Sequence, residues 1–154
     1  IYSYFKDKHD IFIEGLKAYS TKMLIPVYNE FDLPFDPKTS LEKIIDALIE
    51  SHRIFMHAHK EIEALTMTNS EVAVIMLDME LQTTMQLEEF LLKAGYSPVD
   101  LAEKTHIIYN MVDSLSHELT FHKHPGLNPE RMRTIVIETI LNLLGQPAHT
   151  ESNT

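Results

Sequence analysis

The chain has 154 residues, 44% hydrophobic and 23% charged, which suits one globular domain with a substantial core and argues against a chain that is disordered throughout. Its 13 basic and 23 acidic residues give a formal net charge of −10, which excludes a role in which most of the chain grips a nucleic-acid backbone. Without cysteine, disulfides and thiol chemistry are excluded, and we predict a cytoplasmic protein. The sequence has neither a signal peptide nor an apolar run approaching the ~18 residues of a membrane span.

Apolar residues recur at helical spacing along the chain, and only four glycines interrupt them, which predicts an all-α fold. Asp7 is suited to cap the first helix, and Pro26 should end or kink it. Gly95 is placed to stop the fourth helix, Ser97-Pro98 to start the fifth, and Asn128-Pro129 to start the sixth. The predicted helices cover about residues 7–26, 39–56, 59–67, 70–94, 97–122 and 129–145.

The last predicted helix is apolar around about two thirds of its circumference. A helix that packs on one side only needs a narrower apolar stripe, so the surplus indicates burial against both its own core and a partner. We therefore predict a homodimer, while a central helix inside a monomer remains the alternative. The predicted interface residues are Val136, Ile140, Leu143 and Leu144.

The fifth predicted helix carries one polar face, at spacings of four, three and four residues, formed by His106, Asn110, Asp113 and His117. Three interpretations remain open for this face. It could be a solvated or interface-lining surface, or it could be the wall of a ligand pocket. It could also be a metal site in which Asp113 and His117 chelate together, with His122 and His124 one to two turns further on. We predict Asp113 and His117 as ligand-binding residues and assign no metal or other cofactor.

Methionines are frequent in the middle helices and suit a cavity that accepts varied apolar ligands, although they also fill ordinary cores. Thr83 interrupts an apolar stretch, where a polar group could orient a bound molecule. We predict a central cavity for a small apolar or amphipathic effector of unknown identity. The residues expected to line it are Met56, Met79, Thr83 and Tyr109.

Enzymatic function is not predicted, because the chain has no glycine-rich phosphate loop, nucleophile elbow or cysteine nucleophile. A carboxylate-bridged metalloenzyme would need a Glu-x-x-His motif on each of two helices. Only Glu103 to His106 matches that motif. A helical metal-binding or carboxylate-bridged metalloprotein, and a helical adaptor without a small ligand, are kept as alternatives.

Residues 1–12 read IYSYFKDKHDIF: an aliphatic residue, Tyr, any residue, Tyr, Phe, a polar turn with Lys, and an acidic helix start. This pattern closely resembles the segment that joins the recognition helix to the regulatory domain in TetR/AcrR-family transcriptional repressors. His9 departs from it, because the family usually has Glu or Asp there. The resemblance is carried by these dozen residues, and the remaining chain supports it only through its helix order.

The resemblance implies a ligand-responsive, DNA-binding repressor of which this chain is the effector-binding and dimerisation part. Residues 1–8 would be the remnant of the recognition helix and turn, 9–145 the regulatory domain and 146–154 a disordered tail. The last two helices would form a four-helix bundle with a second copy. Operator DNA would be bound through a helix-turn-helix upstream of Ile1, with no membrane partner, and the expected phosphate contacts within this chain are Tyr2, Tyr4 and Lys8. An effector would shift the population between two orientations of the DNA-binding heads.

Overall fold

The fold is all-α in a computed structural model that describes residues 8–32, 34, 36–122 and 124–148, with His122 described by its backbone alone. The predicted phosphate contacts Tyr2 and Tyr4 lie outside the described residues, as does most of the predicted tail. A short π-helical turn, Glu118–His122, extends the fifth helix. The helices are α1 (Lys8–Tyr28), α2 (Pro37–Ile54), α3 (Met56–Thr66), α4 (Ser70–Lys93), α5 (Leu101–His117) and α6 (Pro129–Leu144).

Short polar side chains begin three of the helices by accepting hydrogen bonds from otherwise free backbone N–H groups. Asp36 accepts from the backbone N–H of Thr39 at the start of α2. Asn69 caps α4, and Asn128 caps α6 immediately before Pro129, as predicted for that boundary. Gly95, with φ of 92°, takes the left-handed conformation directly after α4 that its position predicted.

Several predicted boundaries shift by two or more residues, and two of the differences have a clear physical cause. Pro26 does not end α1, which continues to Tyr28. Packing holds this last turn, since Val27 is buried in the core and the Tyr28 hydroxyl lies 3.1 Å from Thr83 Oγ1. The fifth helix begins at Leu101 rather than at Ser97-Pro98, because Asp100 has a φ of 55° that interrupts helical geometry.

The main core lies where α1, α2, α5 and α6 meet, and a smaller cluster joins α1, α3 and α4. Helix α5 packs on α2, α4 and α6, so its faces are covered by different neighbours. Ile45 of α2 and Ile140 of α6 are both 0% exposed within this core. None of the helices in the described part of the chain combines the length and the apolarity needed to cross a bilayer.

The dimer prediction needs a correction at Ile140, whose side chain is enclosed by its own chain and is not available to a partner. Helix α6 packs on both α2 and α5, so much of its wide apolar arc is covered within one chain. Val136, Leu143 and Leu144 are half-buried against the same core. The outer side of α6 carries Ile135 instead, which is 47% exposed.

Candidate functional site

A cavity of about 320 Å³ opens in the helical core, and residues from α1 to α5 line it. One wall is apolar and methionine-rich, and it includes Met76, Leu77 and Met79 of α4. The facing wall carries ionisable side chains of α3 and α5, among them His59, Asp113 and His117. Four of the six predicted ligand-binding residues meet here: Met79, Tyr109, Asp113 and His117.

The other two predicted ligand-binding residues are not among those that line this cavity. Met56 begins α3 and is half-buried. Thr83 is buried, and its hydroxyl donates to the Met79 carbonyl at 2.8 Å and lies beside the Tyr28 hydroxyl. The polar face of α5 also divides, since His106 lies on an exposed stretch 3.3 Å from Glu80. Asn110 is exposed but also lines the cavity, and Asp113 and His117 turn toward the core.

Three histidines from three helices converge at the polar wall, two of them lining the cavity and the third lying behind. His52 of α2 is 0% exposed, His59 of α3 is 6% exposed, and the side chain of His117 of α5 is 18% exposed. Their ring centroids are 4.6, 4.8 and 5.0 Å apart, and the rings are inclined to one another by 66–79°. One ring nitrogen of each lies within 4.8 Å of the others, so the three could hold a single metal ion. We call these three residues the histidine cluster.

His52 has a defined tautomer because of its position in α2. Its Nδ1 lies 2.9 Å from the Leu48 carbonyl oxygen, which can only accept, so Nδ1 carries a hydrogen and donates it. In the neutral ring Nε2 is then a bare acceptor. This atom is buried and has no hydrogen-bond partner, although Asp113 Oδ1 lies 3.4 Å away. A deprotonated carboxylate also only accepts, so the neutral form of His52 has no hydrogen to donate to Asp113.

Tyr19 of α1 contacts the ring of His59 and determines which of its nitrogens carries the hydrogen. The Tyr19 hydroxyl lies 3.2 Å from Met23 Sδ and 2.7 Å from His59 Nδ1, and when its hydrogen points to the sulfur it accepts a hydrogen bond from His59 Nδ1–H. This leaves His59 Nε2 as an acceptor, 2.8 Å from His117 Nε2. Burial, and the nearby charges of His52 and His117, lower the pKa of His59 to about 4, so this ring is neutral near pH 7.

Asp113 is the anion of the site, and its Oδ2 lies 3.6 Å from His117 Nε2. Burial alone would raise the pKa of Asp113, but its contact with His52 and the charges of His117, His52 and His59 outweigh burial and lower that pKa. Asp113 is therefore ionised near neutral pH. Burial, and then the negative charge of Asp113, raises the pKa of Tyr19 and of Tyr109, so both phenols stay protonated.

The local backbone brings these side chains together. Helix α2 ends at Phe55, whose non-helical backbone redirects the chain into α3, so that His52 and His59 lie on either side of the turn. The π-helical turn after His117 places Phe121 against His59, with ring centroids 5.8 Å apart and planes 7° apart. Such turns inside helices are frequently found at functional sites.

Sequence reasoning anticipated two members of this site and missed two. Asp113 and His117 were predicted to bind a ligand, but the metal interpretation paired them with His122 and His124. His124 contacts Glu118 on an exposed stretch, and the side chain of His122 lies outside the described residues. The missed residues are His52 and His59, and the available signal for His52 was its position four residues after Leu48 on the buried face of α2.

The comparisons with known proteins give no information about this site. No protein-family model matches the chain, and no curated protein matches it at a significant level. A functional assignment therefore rests on the cavity, the histidine cluster and the physical chemistry of their side chains.

Proposed function

We propose that this chain is the effector-binding and dimerisation part of a ligand-responsive transcriptional repressor of the TetR type. One observation carries the proposal. A half-enclosed cavity in the helical core brings together an adaptable methionine wall and a polar wall, and four residues expected to bind an effector line it. The dozen N-terminal residues that resemble the family's linker support the same assignment.

Helix α1 supplies a physical route from the cavity to DNA. Tyr19 of α1 contacts His59 of the polar wall, and Met23 and Leu24 of the same helix line the cavity. The first residue of α1 is Lys8, which is exposed at a helix N-terminus where phosphate binding is favourable. An occupant of the cavity would thereby bias the position of the helix that follows the DNA-binding head, shifting the population between two orientations.

The DNA-binding part of the proposal predicts a specific effect of Lys8→Ala. The full-length gene product would first be used to select binding sequences from random duplex DNA. In that protein, Lys8→Ala should weaken binding about equally on selected and unrelated duplexes. It should also make the plot of the logarithm of the association constant against the logarithm of salt concentration less steep, by about 1 in slope, because one phosphate contact is lost. Fluorescence anisotropy at four or five salt concentrations measures both quantities.

The matched control is Lys22→Ala, an exposed lysine further along the same helix, which should leave the salt slope unchanged. Loss of affinity on the selected sequence alone would contradict a phosphate contact. Failure of the full-length protein to enrich any sequence would contradict the repressor function itself.

The dimer of this proposal would form across α5 and α6. An open apolar groove runs between these helices, and it is lined in part by Ile107 of α5 and Ile135 of α6. Both side chains are about half exposed, at 48% and 47%, which is a costly arrangement for isoleucines that nothing covers. A second copy, applying the same two helices about a twofold axis, would cover them in a four-helix bundle.

Ile135→Glu is expected to convert the dimer into a monomer without unfolding the chain, because the charge would be buried only in the dimer. Sedimentation equilibrium at micromolar concentration should show the molar mass fall to half. Val74→Glu, which places the same charge at a 56% exposed position on α4, should leave the dimer intact. A wild-type chain that is monomeric under these conditions would rule out this interface.

A further inference from the structure

Beside the polar wall of the cavity, a buried nitrogen and a carboxylate oxygen face each other, and they lack a hydrogen-bond donor between them when His52 is neutral. His52 is 0% exposed, and its Nε2 has no hydrogen-bond partner. The group that faces this nitrogen is the Asp113 carboxylate, with Oδ1 at 3.4 Å, which also accepts hydrogen bonds only. Native proteins rarely leave buried polar atoms unsatisfied, so this pair calls for an electron-pair acceptor between the two groups, either a proton or a metal ion.

We infer that this site binds one divalent late transition-metal ion, of which Zn²⁺ is the best-suited probe, through His52, His59, His117 and Asp113. The inference does not rest on the proposed regulatory function, because it concerns metal binding by the chain itself. Three imidazole nitrogens and one carboxylate oxygen form a common tetrahedral donor set for zinc. Hard cations such as Mg²⁺ and Ca²⁺ favour all-oxygen sites and fit this donor set poorly.

Three of the six donor pairs have spacings close to what a tetrahedral ion requires, and the ligand atoms of the three histidines all lie within 4.8 Å of one another. Metal–nitrogen bonds of about 2.0–2.1 Å place neighbouring ligand atoms roughly 3.3 Å apart. His59 Nε2 and His117 Nε2 are 2.8 Å apart, and His52 Nε2 is 3.4 Å from Asp113 Oδ1. His117 Nε2 is 3.6 Å from Asp113 Oδ2. Shifts of a few tenths of an ångström would bring these pairs to metal-binding distances.

The far side of the rings is arranged as in metal-binding histidines, which usually donate their second ring N–H to an oxygen. His52 Nδ1 donates to the Leu48 carbonyl, and His59 Nδ1 donates to the Tyr19 hydroxyl. His117 Nδ1 lies 3.8 Å from Glu63 Oε1, at the mouth of the same cavity. His52 and His59 therefore have their Nε2 atoms free to bind a metal, and His117 would do so once the hydrogen on its Nε2 is lost or moves to Nδ1 beside Glu63.

The cavity supplies the entry path that a buried metal site needs. His59, His117 and Asp113 line it, while His52 lies behind them without lining it. The ligands come from α2, α3 and α5, so a bound ion would fasten three helices to one another. Binding should therefore raise thermal stability as well as occupy the site.

The test is isothermal titration calorimetry of Zn²⁺ into the 154-residue chain after chelator treatment, with Co²⁺ absorption as a report on geometry. We expect one ion per chain, a rise in melting temperature, and visible Co²⁺ bands typical of tetrahedral coordination. His59→Ala and His117→Ala should each weaken Zn²⁺ binding by at least about 100-fold, since even loss of an outer partner costs 10–100-fold. Tyr19→Phe removes such an outer partner, so it should weaken Zn²⁺ binding by about 10–100-fold.

Matched controls lie on the same helices. His57→Ala on α3 and His106→Ala on α5 remove exposed histidines and should leave the affinity unchanged. If the alanine variants fail to fold, the Co²⁺ spectrum of the wild type and the affinity of Tyr19→Phe still decide the question. No Zn²⁺ binding by a folded wild-type chain, or binding abolished by the control substitutions, would overturn the inference.

Discussion

Replacing Ile140 with alanine should destabilise the folded chain by about 3 kcal/mol, because truncating a buried isoleucine loses transfer free energy and leaves a cavity. Ile140 is 0% exposed and lies where α6 meets the core formed by α1, α2 and α5. Ile140→Glu should prevent folding altogether, since an unpaired charge would be buried there. Urea unfolding followed by circular dichroism measures the alanine variant, and loss of the helical spectrum at low temperature reports the glutamate variant.

Ile135→Ala provides the comparison, because Ile135 is on the same helix, is the same residue type and is 47% exposed. At a protein concentration where the chain is monomeric, this variant should change the free energy of unfolding by less than about 1 kcal/mol. An Ile140→Ala variant as stable as Ile135→Ala would mean that α6 is not docked on the core as described.

The helices could be predicted from the sequence because their signals are local. Caps such as Asn128 before Pro129, and glycine at position 95, act within one turn of the chain. The start of α5 was mispredicted because Ser97-Pro98 gives a start signal, while the left-handed backbone of Asp100 delays the helix to Leu101. Pro26 was mispredicted for a different reason, namely that tertiary packing of Val27 and Tyr28 holds the helix beyond the proline.

The assignment of α6 shows the limit of a helical wheel. A wide apolar arc predicts burial on two sides but does not say whether the second side meets another chain. In the structure α6 contacts α2 and α5 together, so Ile140 is enclosed by its own chain while Ile135 remains outside. The dimer therefore remains a prediction, and its predicted interface is now formed by exposed residues such as Ile135 rather than by Ile140.

The site was half predicted for a similar reason. Asp113 and His117 are one turn apart on a polar face, a pattern that is visible in the sequence. His52 lies on an apolar face, where a single histidine has no periodic companion, and His59 follows a break between helices. Their convergence depends on how α2 and α3 pack at Phe55, which local sequence signals do not specify.

His52→Leu should stabilise the metal-free chain while removing its response to metal. The unpartnered Nε2 of His52 costs about 1–3 kcal/mol as a buried polar atom, and leucine of similar volume has no such atom. The lost hydrogen bond from Nδ1 to Leu48 and the lost contact that stabilises the ionised Asp113 offset most of this gain, so we expect a net increase of no more than about 1 kcal/mol in the free energy of unfolding. Urea unfolding in the presence of a chelator measures it.

The same urea unfolding in the presence of Zn²⁺ reverses the order of stability. At free Zn²⁺ of about 100 times the dissociation constant, the wild-type chain should gain about 2.7 kcal/mol, because the ion binds the folded state. His52→Leu should gain little at that concentration, so the wild type becomes the more stable protein only when metal is present. His57→Leu, at an exposed position on α3, should respond to Zn²⁺ as the wild type does. If His52→Leu instead destabilises the metal-free chain by more than about 1 kcal/mol, His52 shares a proton with Asp113. Its Nε2 is then already paired and is not available to bind a metal ion.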